Sequence, residues 1–262
     1  MAEPRPYSTK VKTARNILTT ISHCSSPFIS TFLLIHLSAP VLANLGGSSL
    51  SGQVMILGRE YYQTPFGEAF LVLGPMALHS LSGVAKRLLD TIFPPTASMP
   101  ASSLVEGQKN EPPKKAKRRW PSLLTLTAYP LIPLFTLHFI THRGIPASPA
   151  SPLHSSELDF EFVKFHLQHY PKLSWFLYGS LLALTLIHGV EGAVVVWNRY
   201  YPSVLGRLKQ SGKAKWTRLA AMLVGVAGPV VSGMWMISRE LPMVFPDMLK
   251  RFERVLSIVY RV

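Results

Sequence analysis

Long apolar runs separated by short polar and basic segments dominate the pattern along this chain. Five stretches are long enough to cross a bilayer, which takes about 20 mostly apolar residues in a helix. They cover about 25–45, 66–84, 121–141, 175–199 and 216–237. A soluble helical bundle is the alternative, but its helices would each show a charged face, and these stretches show none. The pattern therefore predicts an all-α integral membrane protein built as a five-helix transmembrane bundle.

Basic residues are divided unevenly between the two sides that five spans define. The chain has 262 residues, with 27 Lys and Arg against 13 Asp and Glu and a formal net charge of +14. Side A, formed by the N-terminus, 86–119 and 199–218, holds 18 of the 27 basic residues and four acidic ones; the opposite side is side B. Because Lys and Arg accumulate on the side where insertion begins, we expect side A to be cytosolic, with the N-terminus there and the C-terminus opposite.

The segments outside the spans complete the expected organisation. We divide the chain into an exposed tail (1–20), spans one and two (21–90), a basic Pro-rich loop (91–120), spans three and four (121–200), span five (201–240) and a C-terminal amphipathic helix (241–262). The loop composition predicts disorder. Its KKAKRR run is either a nucleic-acid or nuclear-localisation patch or a topology determinant that touches anionic lipid. Its place beside a span favours lipid, and no nucleic-acid partner is expected. The C-terminal helix is expected to lie in the membrane interface, or otherwise to bind a partner.

Each of the first four spans carries one histidine: His36, His79, His138 and His188. Ionisable groups inside a bilayer are costly and usually face the bundle interior. The depth of each histidine in the membrane follows from the direction of its span and from its position along that span. These depths pair His36 with His138 toward side B, and His79 with His188 toward side A. Two facing imidazoles can ligate one haem iron from both sides, so the pairs predict one or two haem b groups.

Two short matching motifs suggest that the four-span core is a duplication. ALHSLSGV and LIHGVEGA both contain His-x-x-x-Gly, with Gly83 and Gly192 one turn after the histidines of spans two and four. Each glycine would leave room for a flat macrocycle or for a closely packed helix. Spans one–two and three–four would then be two copies of one unit, with span five added.

The alternatives for these histidines stay open at this level. A membrane histidine often only hydrogen-bonds across helices, and Glu191 could satisfy His188 in this way. His142, four residues after His138, could replace it as a ligand. Glu191 could instead line a headgroup path in a lipid scramblase.

Dedicated enzymatic chemistry is not expected. The chain has neither a GxSxG nor a P-loop motif, and its single cysteine, Cys24, excludes a CxxC site. His154, His166 and His169 lie near acidic residues in 143–172, but no metal-ligand motif joins them, so we interpret them as loop histidines. The protein is therefore predicted to be non-enzymatic.

The second-span residues His79, Gly83, Lys86 and Arg87 resemble the signature of the haem b membrane anchors of succinate dehydrogenase and fumarate reductase. The diheme anchors of that group also have five spans and one ligand on each of four helices. The resemblance implies a diheme b-type cytochrome that transfers electrons or senses haem. The long basic loop and the C-terminal helix depart from it.

The segments IHLSAP, LHSLSGVAKRLL and LIHGVEGAVVVWNRY, within about 20–240, resemble the fungal Mcp-type proteins. Those are multispan proteins of the mitochondrial outer membrane that rescue loss of the ER–mitochondria tether and maintain lipid homeostasis. Members are thought to recruit a chorein-type bridge-like lipid-transfer protein through an N-terminal PxP peptide. The resemblance implies that Pro4, Arg5 and Pro6 form that peptide here, on side A facing the cytosol. It also implies an adaptor in lipid transport at a membrane contact site.

Overall fold

The computed structural model describes residues 9–93, 122–209 and 211–260. Within these ranges the chain is helical with connecting loops and contains no strand. The Pro4-Arg5-Pro6 peptide and most of the basic loop lie outside the described residues. The α-helices are α1 (Thr9–Tyr62), α2 (Gly74–Ile92), α3 (Leu123–Phe139), α4 (Phe160–His169), α5 (Pro171–Tyr200), α6 (Pro202–Leu205), α7 (Gly212–Met222), α8 (Gly228–Arg239) and α9 (Pro246–Tyr260).

Five helical segments are long and apolar enough to cross a membrane, which confirms the predicted all-α membrane bundle. They are Thr9–Tyr62, Gly67–Ile92, Leu123–Gly144, Pro171–Tyr200 and Gly212–Arg239. Three of them contain a π-helical turn, at Gly67–Leu73, Ile140–Gly144 and Leu223–Ala227. Such turns bulge the helix without leaving backbone groups unpaired, as a lipid environment requires.

The first span folds back on itself at Gly46 and Gly47, which was not predicted. Gly47 has φ +59°, a conformation that L side chains rarely adopt. The Ser51 hydroxyl donates to the Ala39 carbonyl at 2.8 Å, although twelve residues of straight helix would separate them by about 18 Å. Residues 48–62 therefore form a returning arm that packs against the preceding part of α1. The Gly-Gly pair was the available signal for this turn.

Ion pairs tie neighbouring spans together at alternating ends. Arg15 at the start of span one lies 3.5 Å from Asp90 at the end of span two, on side A. Arg143 donates to both carboxylate oxygens of Glu68, at 2.8 and 2.6 Å, and joins spans two and three on side B. This alternation agrees with spans that run in opposite directions. Spans one–two and three–four form two antiparallel hairpins, with close backbone packing inside each hairpin and sparse packing between them.

Span five packs against α1 through very close backbone approach. A Cβ atom at Gly233 would overlap the Pro40 carbonyl oxygen, so only glycine fits at this crossing. The Asn44 side-chain amide donates to the Pro229 carbonyl at 2.7 Å. Ala39, Ala43 and other small or apolar side chains fill the surrounding core. Span five is therefore fixed to the first hairpin.

On side B, α4 and α9 form a compact cap over the ends of the spans. The apolar face of α9 buries Phe252, Val255 and Leu256 completely, against Phe162 and Phe165 of α4. The helix is amphipathic, as predicted, but its apolar face packs within the protein. Phe245, just before α9, is 85% exposed, and this loop is the part that remains available to lipid.

A buried lysine connects the cap to the turn in span one. Lys164 of α4 is fully buried, and its Nζ lies 2.6 Å from Glu161 and 3.4 Å from Glu240. The Glu240 carboxylate accepts hydrogen bonds from the backbone amide and hydroxyl of Ser48. Burial alone would raise the pKa of Glu240, but these hydrogen bonds and the Lys164 charge lower it. Glu240 thus holds the returning arm, α4 and the end of α8 together.

We expect Gly47→Ala to destabilise the protein by about 1–3 kcal/mol, because its backbone conformation is almost restricted to glycine and the new Cβ would meet the Glu240 carboxylate. Gly52→Ala is the matched control. Gly52 is helical and a Cβ there meets no atom within 4 Å, so it should gain up to about 1 kcal/mol. Thermal unfolding in detergent measures both. Equal effects of the two variants would contradict the proposed turn.

Candidate functional site

The histidines of spans two and four form a pair toward side A, as predicted. The ring centroids of His79 and His188 are 6.0 Å apart, and the rings are nearly perpendicular. Nδ1 of His79 lies 3.0 Å from the Ser22 carbonyl oxygen, and Nδ1 of His188 lies 3.1 Å from the Leu124 carbonyl oxygen. A carbonyl can only accept, so each Nδ1 carries the proton and donates it. The opposite nitrogen, Nε2, is then left with its lone pair.

The hydroxyls near these rings support the same assignment. Ser25 Oγ lies 3.3 Å from Nδ1 of His79, and Thr127 Oγ1 lies 3.4 Å from Nδ1 of His188. Among the hydrogen bonds of the described residues, none involves Nε2 of either ring. A metal-binding histidine shows this arrangement, because its second ring N–H is held by a carbonyl or carboxylate that fixes the tautomer.

The histidines of spans one and three form the second predicted pair, toward side B. The ring centroids of His36 and His138 are also 6.0 Å apart and nearly perpendicular. The His36 ring stacks on Phe32 at 5.2 Å and meets the edge of Tyr62 at 6.2 Å. In the described part of the chain neither imidazole makes a hydrogen bond. Both rings are thus positioned by packing, and their nitrogens remain available.

His142, the alternative ligand, is engaged elsewhere. Its Nε2 lies 2.9 Å from the Tyr178 hydroxyl, which in turn lies 2.8 Å from Nδ1 of His166. Nε2 of His166 lies 3.1 Å from the Tyr260 hydroxyl. The His142 ring is 4.7 Å from the His138 ring, so it borders the pair and supports it. Because His142 is hydrogen-bonded and His138 is not, the structure favours His138 as the ligand.

The residues present fit a bis-histidine haem site. Each pair joins the two hairpins, one imidazole from each, where close backbone packing is sparse. Gly83 is exposed, and a Cβ there would meet no atom within 4 Å, so this glycine lies on the outside of the bundle. Gly192 differs, because a Cβ there would lie 3.8 Å from Leu124, and this glycine serves close helix packing. His36, His79, His138 and His188 would be the residues that hold haem.

Glu191 does not satisfy His188, contrary to one of the sequence alternatives. Its carboxylate pairs with Lys215 Nζ at 3.3 Å, and its Oε1 is buried without a hydrogen-bond partner. His188 is already bonded to the Leu124 carbonyl. Side chains three residues apart on a helix can interact, but the carboxylate of Glu191 is instead held by Lys215 of α7.

The interpretation of His154, His166 and His169 as loop histidines was wrong for two of them, because His166 and His169 lie in helix α4 and His166 is buried. His166 is buried in the hydroxyl network just described, and His169 stacks on Phe165 at 3.9 Å. His154 lies at the start of a short 3₁₀ turn, where its backbone amide donates to Glu157 at 2.8 Å. No group of three His, Cys, Asp or Glu residues within the described ranges is arranged to hold a metal ion.

Residues 133–245 match the family model described as the MDM10-complementing protein 1 transmembrane domain. This match supports an Mcp1-type membrane protein. The matched segment contains His138, His188 and Glu191, together with α4 and span five. This description links the family to the complementation of MDM10. No curated protein and no solved structure matches the chain.

Several of the residues that shape the site could not be assigned from the sequence. Tyr178 and His166 lie in different segments and meet only through the packing of α4 on α5. The acceptors of the histidine protons, Ser22 and Leu124, act through their backbone and carry no side-chain signal. Lys164 had a weak signal, as a single cation within the apolar run FEFVKFHL.

We expect the cap to lose stability as the pH falls below about 6.5. Burial lowers the pKa of His166 to about 4 from 6.5. The unfolded chain therefore binds more protons than the folded chain between these values, and stability should fall by about 1.4 kcal/mol per pH unit there. His166→Gln should be less stable at neutral pH, yet less sensitive to acid. Thermal unfolding between neutral pH and about pH 5 measures this.

The exposed loop residue His154 provides the control for this prediction. His154→Gln should keep the acid sensitivity of the wild type. An unchanged acid sensitivity in His166→Gln would show that another group controls the loss of stability.

Proposed function

We propose that this protein is a non-enzymatic Mcp1-type mitochondrial membrane protein whose four-span core binds haem b. The observation that carries the proposal is the pairing of His79 with His188 at 6.0 Å, with both Nδ1 protons donated to backbone carbonyls. This arrangement leaves Nε2 of each ring with its lone pair, and a neutral imidazole ligates a metal through such a nitrogen. The pairing of His36 with His138 provides a second, independent site.

The residues of this chain would perform distinct tasks in holding haem. Ser22 and Leu124 keep the tautomer that leaves Nε2 free, and Ser25 and Thr127 restrict ring rotation. On side B, Phe32 orients the His36 ring by stacking. When bound, haem supplies one-electron redox chemistry or an iron that senses ligands. The apolar surroundings exclude water from the imidazoles.

The absorption spectrum of the detergent-purified full chain tests the haem proposal. We expect reduced b-type bands in the wild type. His79→Ala or His188→Ala should remove the haem of the side A pair and leave the side B haem, and His36→Ala or His138→Ala should do the reverse. His169→Ala, on the side B cap, is the control and should keep both haems. A colourless wild-type preparation would exclude the proposal.

We also propose that the protein acts as an adaptor in mitochondrial lipid homeostasis, recruiting a chorein-type bridge-like lipid-transfer protein through Pro4, Arg5 and Pro6. Two observations favour this second role: the family match within 133–245 and the strong excess of basic residues on side A. That excess is expected of the cytosolic side, and the peptide precedes α1 on the same side. We place the protein in the outer membrane, with its N-terminus in the cytosol and its C-terminus in the intermembrane space.

The adaptor role predicts that Pro4→Ala with Pro6→Ala abolishes recruitment of the lipid-transfer protein to mitochondria, because each proline fixes the extended backbone of a docking peptide. Membrane insertion and haem content should stay unchanged. Pro112→Ala with Pro113→Ala, in the basic loop of the same side, is the matched control and should recruit normally. Fluorescence microscopy of the tagged partner measures this. Recruitment that survives the first double substitution would refute the PxP mechanism.

A further inference from the structure

A large basic cavity opens at the side A end of the bundle, apart from the histidine pairs. It has a volume of about 780 Å³ and lies between α1, α2 and α5. Four cationic side chains line it: Lys12 and Arg15 of α1, Lys86 of α2 and Arg199 of α5. Cations converging from three helices repel one another unless an anion lies between them.

The charges in this cavity are only partly compensated within the described residues. Arg15 is paired with Asp90, at 3.5 Å. Lys86 Nζ lies 3.4 Å from the Thr19 hydroxyl, which carries no charge. Neither Lys12, Lys86 nor Arg199 forms an ion pair with an acidic residue in the ranges that the structure describes.

A neutral polar group also points to a missing partner. His23 lines the cavity, and its Nδ1 is buried with no hydrogen-bond partner. The His23 ring meets the edge of Tyr200 at 5.6 Å, which fixes its position. Buried polar atoms in native proteins normally have a partner. The ring of His23 therefore adds a polar group to the wall of the cavity beside the four cationic side chains.

The depth of the cavity indicates that the anion belongs to a lipid. Trp197 and Tyr200 of α5, and Tyr201 just after it, flank the lining residues Asn198 and Arg199 in sequence, and such aromatic residues concentrate at the level of the headgroups. Val195 contributes an apolar wall. The volume falls in the range of small-molecule sites and exceeds what a free inorganic anion needs. Basic pockets between transmembrane helices are suited to anionic headgroups.

We propose that this cavity binds the phosphate headgroup of an anionic phospholipid from the side A leaflet, with Lys86 and Arg199 as its main contacts. The site is separate from the histidine pairs and does not depend on haem. It would give the protein a selective preference for anionic lipid on the side where the basic residues accumulate.

The proposal is tested with the purified full chain in detergent, titrated with fluorescent phosphatidic acid and, in parallel, with fluorescent phosphatidylcholine. We expect phosphatidic acid to bind more tightly. Lys86→Gln with Arg199→Gln should weaken its binding about 30-fold, since each basic residue near anionic lipid contributes about 1 kcal/mol. Each single variant should weaken it about fivefold, which keeps the test valid if the double variant misfolds.

The control removes the same charge from the same side outside the cavity. Arg207 and Lys213 are exposed and do not line it, so Arg207→Gln with Lys213→Gln should leave binding unchanged. Equal weakening by both double variants would show a general surface effect and overturn the proposal. Displacement of the lipid by an equal concentration of inorganic phosphate would do the same, because the site would then recognise a free anion.

The carboxylates of a haem are a second kind of anionic group that could occupy this cavity in place of a lipid headgroup. Haem absorbance is therefore measured on the same Lys86→Gln and Arg199→Gln variants, and we expect it to stay unchanged while the binding of phosphatidic acid weakens. If the Lys86 and Arg199 substitutions reduce haem absorbance but not lipid binding, the cavity holds the cofactor's carboxylates and the lipid proposal fails. Because lipid binding and haem content are measured separately, failure of one proposal does not imply failure of the other.

Discussion

A polar group inside a bilayer must find its hydrogen-bond partner within the protein, because hydrocarbon offers none. The spans follow this constraint closely. Ser51 donates to the Ala39 carbonyl, and Asn44 donates to the Pro229 carbonyl. The two histidine pairs have a different character, since each pair brings together two rings that both keep a nitrogen without a protein partner among the described residues. The candidate haem site is recognised by this facing arrangement.

The two hairpins repeat one physical device. In each, the histidine of the second helix donates Nδ1–H to a backbone carbonyl of the first helix, Ser22 in one hairpin and Leu124 in the other. A hydroxyl one turn further on, Ser25 or Thr127, lies beside the same nitrogen. Because the acceptor is a backbone carbonyl, a substitution at Ser22 or Leu124 would leave this hydrogen bond in place. This correspondence supports the duplication that the His-x-x-x-Gly motifs indicated.

The pairing of the histidines could be predicted because the depth of a residue in the membrane depends almost entirely on its position along its span. A helix rises by 1.5 Å per residue, and consecutive spans run in opposite directions. The position of a histidine along its span therefore fixes its level, and the observed pairs of His36 with His138 and of His79 with His188 follow. The number of spans could be predicted for the same reason, since length and apolar character decide it.

The rest of the structure depends on turns and tertiary packing, which an apolar pattern does not encode. Residues 48–62 return along span one because Gly47 adopts a positive φ, and the apolar pattern of this arm resembles that of any partly buried helix. Lys164 is buried because Glu161 and Glu240 converge on it from separate segments. Glu191 pairs with Lys215 because α7 packs against α5 at this level. Each of these outcomes needs the relative placement of two elements that are distant in sequence.

The sparse backbone packing between the hairpins has a consequence for what the bundle contains. Helices that associate in lipid usually do so through small residues and close backbone approach, as α8 and α1 do at Gly233 and Pro40. The two hairpins instead meet through long side chains, namely the histidine pairs and the ion pair of Arg143 with Glu68. Such an interface holds the imidazoles of the two hairpins beside each other without close approach of the backbones. A flat cofactor held between the imidazoles would add packing that the backbones do not supply.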